Sequence, residues 1–185
     1  MTLHVRGIST ALTVAGIVAF SGPVCAKTVK ITVAAAPPPL VTFVGTFKNM
    51  VSKKIDARLV TEGKGFKIEW THAYSQSLAK FPEVFEAVEE GIADVGLILK
   101  NFEPSNLPLE AYVVHSPFVN TTRPQLSKID RNMRKKIPEL NAAYKKHNQV
   151  FLISGVNHSM QLMTNFPVTK LADLKGRKLG SSGSF

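Results

Sequence analysis

Residues 81–99 read FPEVFEAVEEGIADVGLIL, and the order of the patterns inside this stretch decides the fold. Phe81, Val84, Phe85, Val88 and Ile92 recur at helical spacing. Pro82 is a favoured first-turn residue and Gly91 a stop signal, so a helix is expected between them. Val95 to Leu99 is then almost continuously apolar, the pattern of a strand covered on both faces. Upstream, Val29, Ile31 and Val33 alternate as a half-buried strand does, and Pro37-Pro38-Pro39 ends it in a loop at its carboxyl end. Phe43, Phe47, Met50, Val51, Ile55 and Leu59 follow at helical spacing, Gly63-Lys64-Gly65 makes a turn, and Phe66, Ile68 and Trp70 alternate as a second strand. Strand, helix, strand, helix, strand in this order predicts an α/β fold with a mostly parallel sheet covered on both faces.

Downstream the pattern weakens. Asn101 to Asn120 is rich in proline and has no clear period. Residues 123–147 form a basic amphipathic helix or helix pair carrying Arg131, Arg134, Lys135, Lys136, Lys145 and Lys146, which reads as a solvated basic face. Val150 to Ile153 is expected to be a strand and Met160 to Thr164 another, with Asp173-Leu174-Lys175-Gly176 turning into Lys178-Leu179.

The first 26 residues read as a secretory signal. Arg6 gives a positive start, Ile8 to Phe20 is an apolar run, and Val24-Cys25-Ala26 offers small residues for cleavage. The run would span about 20 Å as a helix, short of the roughly 30 Å hydrocarbon core. Acylation of Cys25 is disfavoured because Val24 stands where a small residue usually precedes a lipidated cysteine. Cleavage after Ala26 removes the single cysteine, leaves Lys27 first, and lowers the net charge of +10 by the one charge of Arg6, to +9. The mature chain is then expected to be exported.

The remaining residues support little covalent chemistry. There is no Gly-x-Ser-x-Gly elbow, and a thiol nucleophile would leave with the signal. His72, His115, His147 and His158 lie far apart and form no two-histidine helical pair, so no metal site is expected. Glu83, Glu86, Glu89 and Glu90 fall mainly on the polar face of their helix. No catalytic residue, metal or cofactor is expected. Nucleic acid is not an expected partner either, because the aromatic residues follow core periods and are not interleaved with the basic ones. Gly180-Ser181-Ser182-Gly183-Ser184 could aim backbone amides at an anion, but matches no phosphate-binding fingerprint.

Three further stretches join residues 85–96. Tyr74-Ser75-Gln76-Ser77-Leu78, Ser116-Pro117-Phe118 and Leu171-Ala172-Asp173-Leu174-Lys175-Gly176, together with Phe85 to Gly96, resemble in order the extracytoplasmic solute-binding proteins of TRAP transporters, the DctP-type family. The resemblance spans Thr28 to Phe185. It implies a periplasmic binding protein-like, type II-like two-lobed clamshell that holds a small organic acid and presents it to sodium-coupled TRAP-type permease subunits. On that reading residues 27–150 are lobe one, and residues 151–185 are crossing strands and the beginning of a truncated lobe two.

The ligand contacts expected are Gln76 and Ser77 after the second strand, Lys100 and Asn101 at the carboxyl end of the third, Gln161 on a crossing strand, and Ser181 and Ser182 in the Gly-rich loop. One departure stands out. The arginine with which the family usually grips a carboxylate falls at Gly180, and a second one near Met160. Amides and hydroxyls of residues 180–184, helped by Lys100 or His158, are one replacement; a ligand that is not a simple carboxylate is the other. A sensory or scavenging protein of the same fold, or less favourably an exported hydrolase, are the alternative functions. The signal reading is checked by N-terminal mass spectrometry of the exported protein: a start at Lys27 is expected, and an intact Met1 terminus would contradict it.

Overall fold

A computed structural model of the chain describes residues 27–63, 65–113, 122–155 and 162–180. In it the alternating run around Val29 to Val33 lies in strand β1 (Lys27–Ala34), and the second in β2 (Phe66–Ala73). The two pair in parallel over their whole length, from Lys27 opposite Phe66 to Ala34 opposite Ala73. On its other side β1 pairs in parallel with β3 (Val95–Gly96), giving the order β2-β1-β3. The fold is therefore mixed α/β, built on a small parallel sheet.

Helices cover both faces. Between β1 and β2 the chain forms α1 (Thr42–Thr46), a π-helical turn (Phe47–Val51) and α2 (Ser52–Thr61). Phe43, Val44 and Phe47 from this run meet Ile31, Val33 and Ala35, with Trp70, Tyr74, Val95 and Leu97 closing the same layer. The alternate residues of β1 turn the other way. Ala34 and Ala36 pack with Ala79, Ala93, and Val84, Ala87 and Val88 of α3 (Val84–Glu89). One alternating strand thus supplies both layers, as a period of two requires.

The stretch 81–99 owes its path to three local features. Gly91, at φ +73°, ends α3 in the left-handed conformation that glycine adopts without strain. The Asp94 carboxylate then accepts the Thr32 amide at 2.7 Å while the Asp94 amide donates to the Thr32 carbonyl at 3.0 Å, so Asp94 fixes the start of β3 on β1. Gly96 lets α3 lie against the sheet: an added Cβ would stand 2.8 Å from Val88 Cγ2 and 3.4 Å from Val84 Cγ1.

Several expectations need correction. The helix begins at Val84, with Phe81 to Glu83 in a turn where the Glu83 carboxylate accepts the Lys80 amide. The third strand keeps only Val95 and Gly96 in the ladder, one more bond running from the Leu97 amide to the Ala34 carbonyl. Its partner β1 gives way to Pro37–Pro39, and the chain leaves the sheet in a 3-10 turn at Lys100–Phe102. The Pro-rich segment carries a second such turn, Pro108–Val113. The basic stretch, expected as one helix or a pair, is the pair, α4 (Arg123–Lys136) and α5 (Glu139–Lys146), divided at Ile137-Pro138. Val150 to Ile153 is not a strand: Val150, Leu152 and Ile153 are exposed, and no ladder partner is present among the described residues. Leu162 to Thr164 and Lys178-Leu179 likewise run irregular and exposed. Residues 1–26, expected as a signal, residues 116–118 and Met160 lie outside the described residues.

Gly96→Ala is expected to destabilise the fold by about 1–3 kcal/mol through overpacking. Gly155→Ala, where an added Cβ meets nothing within 4 Å, should change it by less than about 0.5 kcal/mol in urea denaturation. Equal effects would count against the close approach of α3.

Candidate ligand-binding site

A parallel sheet gathers its outgoing loops at one end. In an open α/β sheet ligands bind outside the carboxyl ends of the strands, where neighbouring connections part to opposite faces. Here that place lies between the segments following β1 and β3. The loop after β1 begins with buried Ala35 and Ala36, and its Pro37 carbonyl accepts the Ser75 amide at 3.4 Å, which ties it to the loop after β2.

Gln76 and Ser77 stand in that second loop, both exposed. Ser75 and Gln76 each hold φ at +60°, a conformation costly for residues with a Cβ, and the Ser77 amide closes the turn on the Tyr74 carbonyl at 3.2 Å. Beneath them Tyr74 is buried, with its hydroxyl 2.7 Å from His72 Nδ1. Burial pushes the Tyr74 pKa up to about 12, so the hydroxyl keeps its proton. The His72 ring is held below its ordinary value by burial and then by the charge of Lys48, so the neutral ring accepts from that hydroxyl.

Lys100 and Asn101 sit in the turn leaving β3, each half-buried. The Lys100 ammonium is not left to solvent. It donates to Glu110 Oε2 at 2.7 Å and lies 3.8 Å from Asp130 Oδ1. An anion reaching Lys100 therefore competes with a carboxylate already in place. Gln161, Ser181, Ser182 and His158 lie outside the described residues. Gly180 is exposed and lines an open cleft of 390 Å³ with Leu162, Thr164, Phe166 and Lys178, apart from the strand ends.

The most heavily built polar arrangement lies behind Lys100. Arg134, 8 % exposed on α4, donates from Nη2 to both oxygens of buried Glu110 at 2.6 and 2.7 Å. Its Nε donates to Asp130 Oδ2 at 3.2 Å, and its guanidinium stacks 3.6 Å from the ring centre of Phe151. Tyr144 of α5 donates to Glu110 Oε1 at 3.1 Å, and Tyr112 to Asp130 Oδ1 at 2.9 Å. Burial opposes the Arg134 charge, but hydrogen bonds and attraction from Glu110 and Asp130 outweigh it and hold its pKa above the ordinary value. The two tyrosines are pushed upward, first by burial and then by these same carboxylates. Two cations thus face two carboxylates, and α4, α5 and the 3-10 turns at 100–102 and 108–113 meet at one neutral, hydrogen-bonded knot.

The expectation of a solvated basic face therefore fails at Arg134. A signal was present: Leu126, Asp130 and Arg134 follow one another at intervals of four, on the stripe that faces the fold, and Asp130–Arg134 is an i,i+4 ion pair. Among the described residues no three His, Cys, Asp or Glu are grouped to hold a metal ion, and no helix is long and apolar enough to cross a membrane. No family model matches the chain, and comparison with curated proteins and with solved structures gives no match.

Removing one partner of a buried pair leaves the other charge uncompensated. Arg134→Ala is expected to cost about 3–5 kcal/mol. Lys100→Ala should cost about 1 kcal/mol, because Lys100 is 24 % exposed and Glu110 keeps Arg134 and Tyr144. Equal losses in urea denaturation would contradict this ranking.

Proposed function

We propose that the protein is a periplasmic solute-binding protein that delivers a small anionic organic solute to a TRAP-type secondary transporter, with residues 27–150 as the first lobe of a two-lobed clamshell. It selects and carries; it performs no covalent step. The observation that carries this reading is the convergence of the loops after β1, β2 and β3 at one end of a parallel sheet, with Gln76, Ser77, Lys100 and Asn101 all on those loops.

The resemblance lends support through the roles its residues have here. Gly91 ends α3, Asp94 sets the start of β3, and Gly96 admits α3 to the sheet. Those residues shape the sheet end, whereas Tyr74 to Ser77 supply the exposed loop beside it. The second lobe and the permease subunits belong to the proposal. So does a solute gripped without the usual arginine at Gly180: Lys100 supplies positive charge, tempered by Glu110, and uncharged donors such as the Gln76 amide supply direction.

Deleting the gene is expected to abolish sodium-dependent uptake of one acid from a panel of small mono- and dicarboxylates, and full-length protein supplied in trans to restore it. In the restored cells, Gln76→Ala should raise the half-saturating concentration about tenfold, the loss of one hydrogen bond to a charged group, with the maximal rate little changed. Uptake unaltered across the panel would contradict the proposal.

A further inference from the structure

Glu103 follows the Lys100–Phe102 turn and is 3 % exposed. Its Oε2 accepts from Asn106 Nδ2 at 3.1 Å, whereas Oε1 is shut off from solvent with no hydrogen-bond partner among the described residues. The contrast with Glu110, three donors deep in the same region, is sharp. A carboxylate with an unpaired buried oxygen is costly, and a protonated carboxyl much less so.

Its surroundings are apolar on one side and acidic on another. The Leu107 amide donates to the Glu103 carbonyl at 2.8 Å, and buried Leu107 packs with Phe85 of α3 and Tyr144 of α5. The contact between α3 and the end of α5 continues through the His147 ring, edge-on to Phe85, and through Gln149, whose side chain donates to the Phe85 carbonyl at 2.9 Å. The charged or titratable groups facing Glu103 are Glu86 from α3 and His147 beyond α5; His147 is itself 3.0 Å from Glu89. Burial first, reinforced by the Glu86 charge and opposed by the Asn106 hydrogen bond and by His147, holds the Glu103 carboxyl above its ordinary value of 4.5.

We propose that Glu103 is a pH-sensitive latch on this seam: as a neutral acid it fits the contact that seats α5 on α3, and on ionising it loosens that contact. The inference is independent of the solute-binding reading. A carboxyl whose value is raised in the closed state contributes stability that is complete below 4.5, the value it has when the seam is open, and that is lost as pH rises through the closed-state value.

The test is amide hydrogen exchange over residues 139–149 from pH 4.5 to 8, expressed as protection factors, in the full chain. Protection should fall by up to about tenfold per pH unit in the wild type until the closed-state carboxyl is fully ionised, and then level off. Glu103→Gln should remove this fall, and Glu86→Gln, an exposed change that leaves the core intact, should reduce its total extent. His72 contributes an opposite slope below its ordinary 6.5, so each variant is compared with the wild type at the same pH. Parallel pH profiles in the wild type and both variants, or an undiminished fall in Glu86→Gln alone should Glu103→Gln not fold, would overturn the proposal.

Discussion

The buried pairing of Arg134 with Glu110 is the interaction on which the outer half of this molecule depends. The three-stranded sheet with α1, α2 and α3 has ordinary apolar layers. The segments beyond it share one small cluster, Phe85, Leu107 and Tyr144, and would slide on it without further direction. Charge supplies that direction. A guanidinium held by two carboxylates and roofed by Phe151 has one acceptable position, and that position fixes α4 against the turns at 100–102 and 108–113. Such pairs add little over an apolar core of the same shape, but removing half of one is severe. What the pair contributes is registry.

That registry bears on the proposed site because Lys100 belongs to both. Its backbone leaves the end of β3, where a solute is expected, and its ammonium rests on Glu110 in the knot. Glu110 retains Arg134 and Tyr144 if Lys100 turns outward, so the knot can lend one of its two cations to the strand ends without leaving a bare carboxylate. Glu103, just after that turn, is the opposite case: a buried carboxyl with one oxygen unpartnered among the described residues, facing Glu86 of α3 and His147 beyond α5. One short turn after a two-residue strand thus joins the proposed site, the charged knot and the apolar seam.

How much of this was legible in the sequence follows from what each pattern encodes. Alternation at Val29 to Val33 and at Phe66 to Trp70, and helical spacing from Phe43 to Leu59, report burial on one face or two, so the sheet and its covering helices could be read directly. Strand length could not, because Val95 to Leu99 is cut short by its partner's prolines, and no local pattern records a partner. Val150 to Ile153 shows the converse: four apolar residues suit a strand, but a ladder needs a neighbour, and only Phe151 turns inward, to Arg134. The knot was not legible because its charged members, Lys100 to Arg134, are spread over 35 residues and each, alone, looks like a surface charge. Of the expected site residues, Gln76, Ser77, Lys100 and Asn101 fall at the strand ends because strand and loop boundaries were legible there. That Lys100 already has a carboxylate partner was not.

The central claim, that one buried ion pair holds the helix pair to the turns that follow β3, is tested most directly by a double-mutant cycle of Glu110→Gln and Arg134→Met, read as unfolding free energies in urea. The account predicts a coupling of about 2–4 kcal/mol, with the double variant closer to the wild type than the single Glu110→Gln or Arg134→Met variant is. Losses that add to within about 0.5 kcal/mol would show that the two charges act independently and would contradict it.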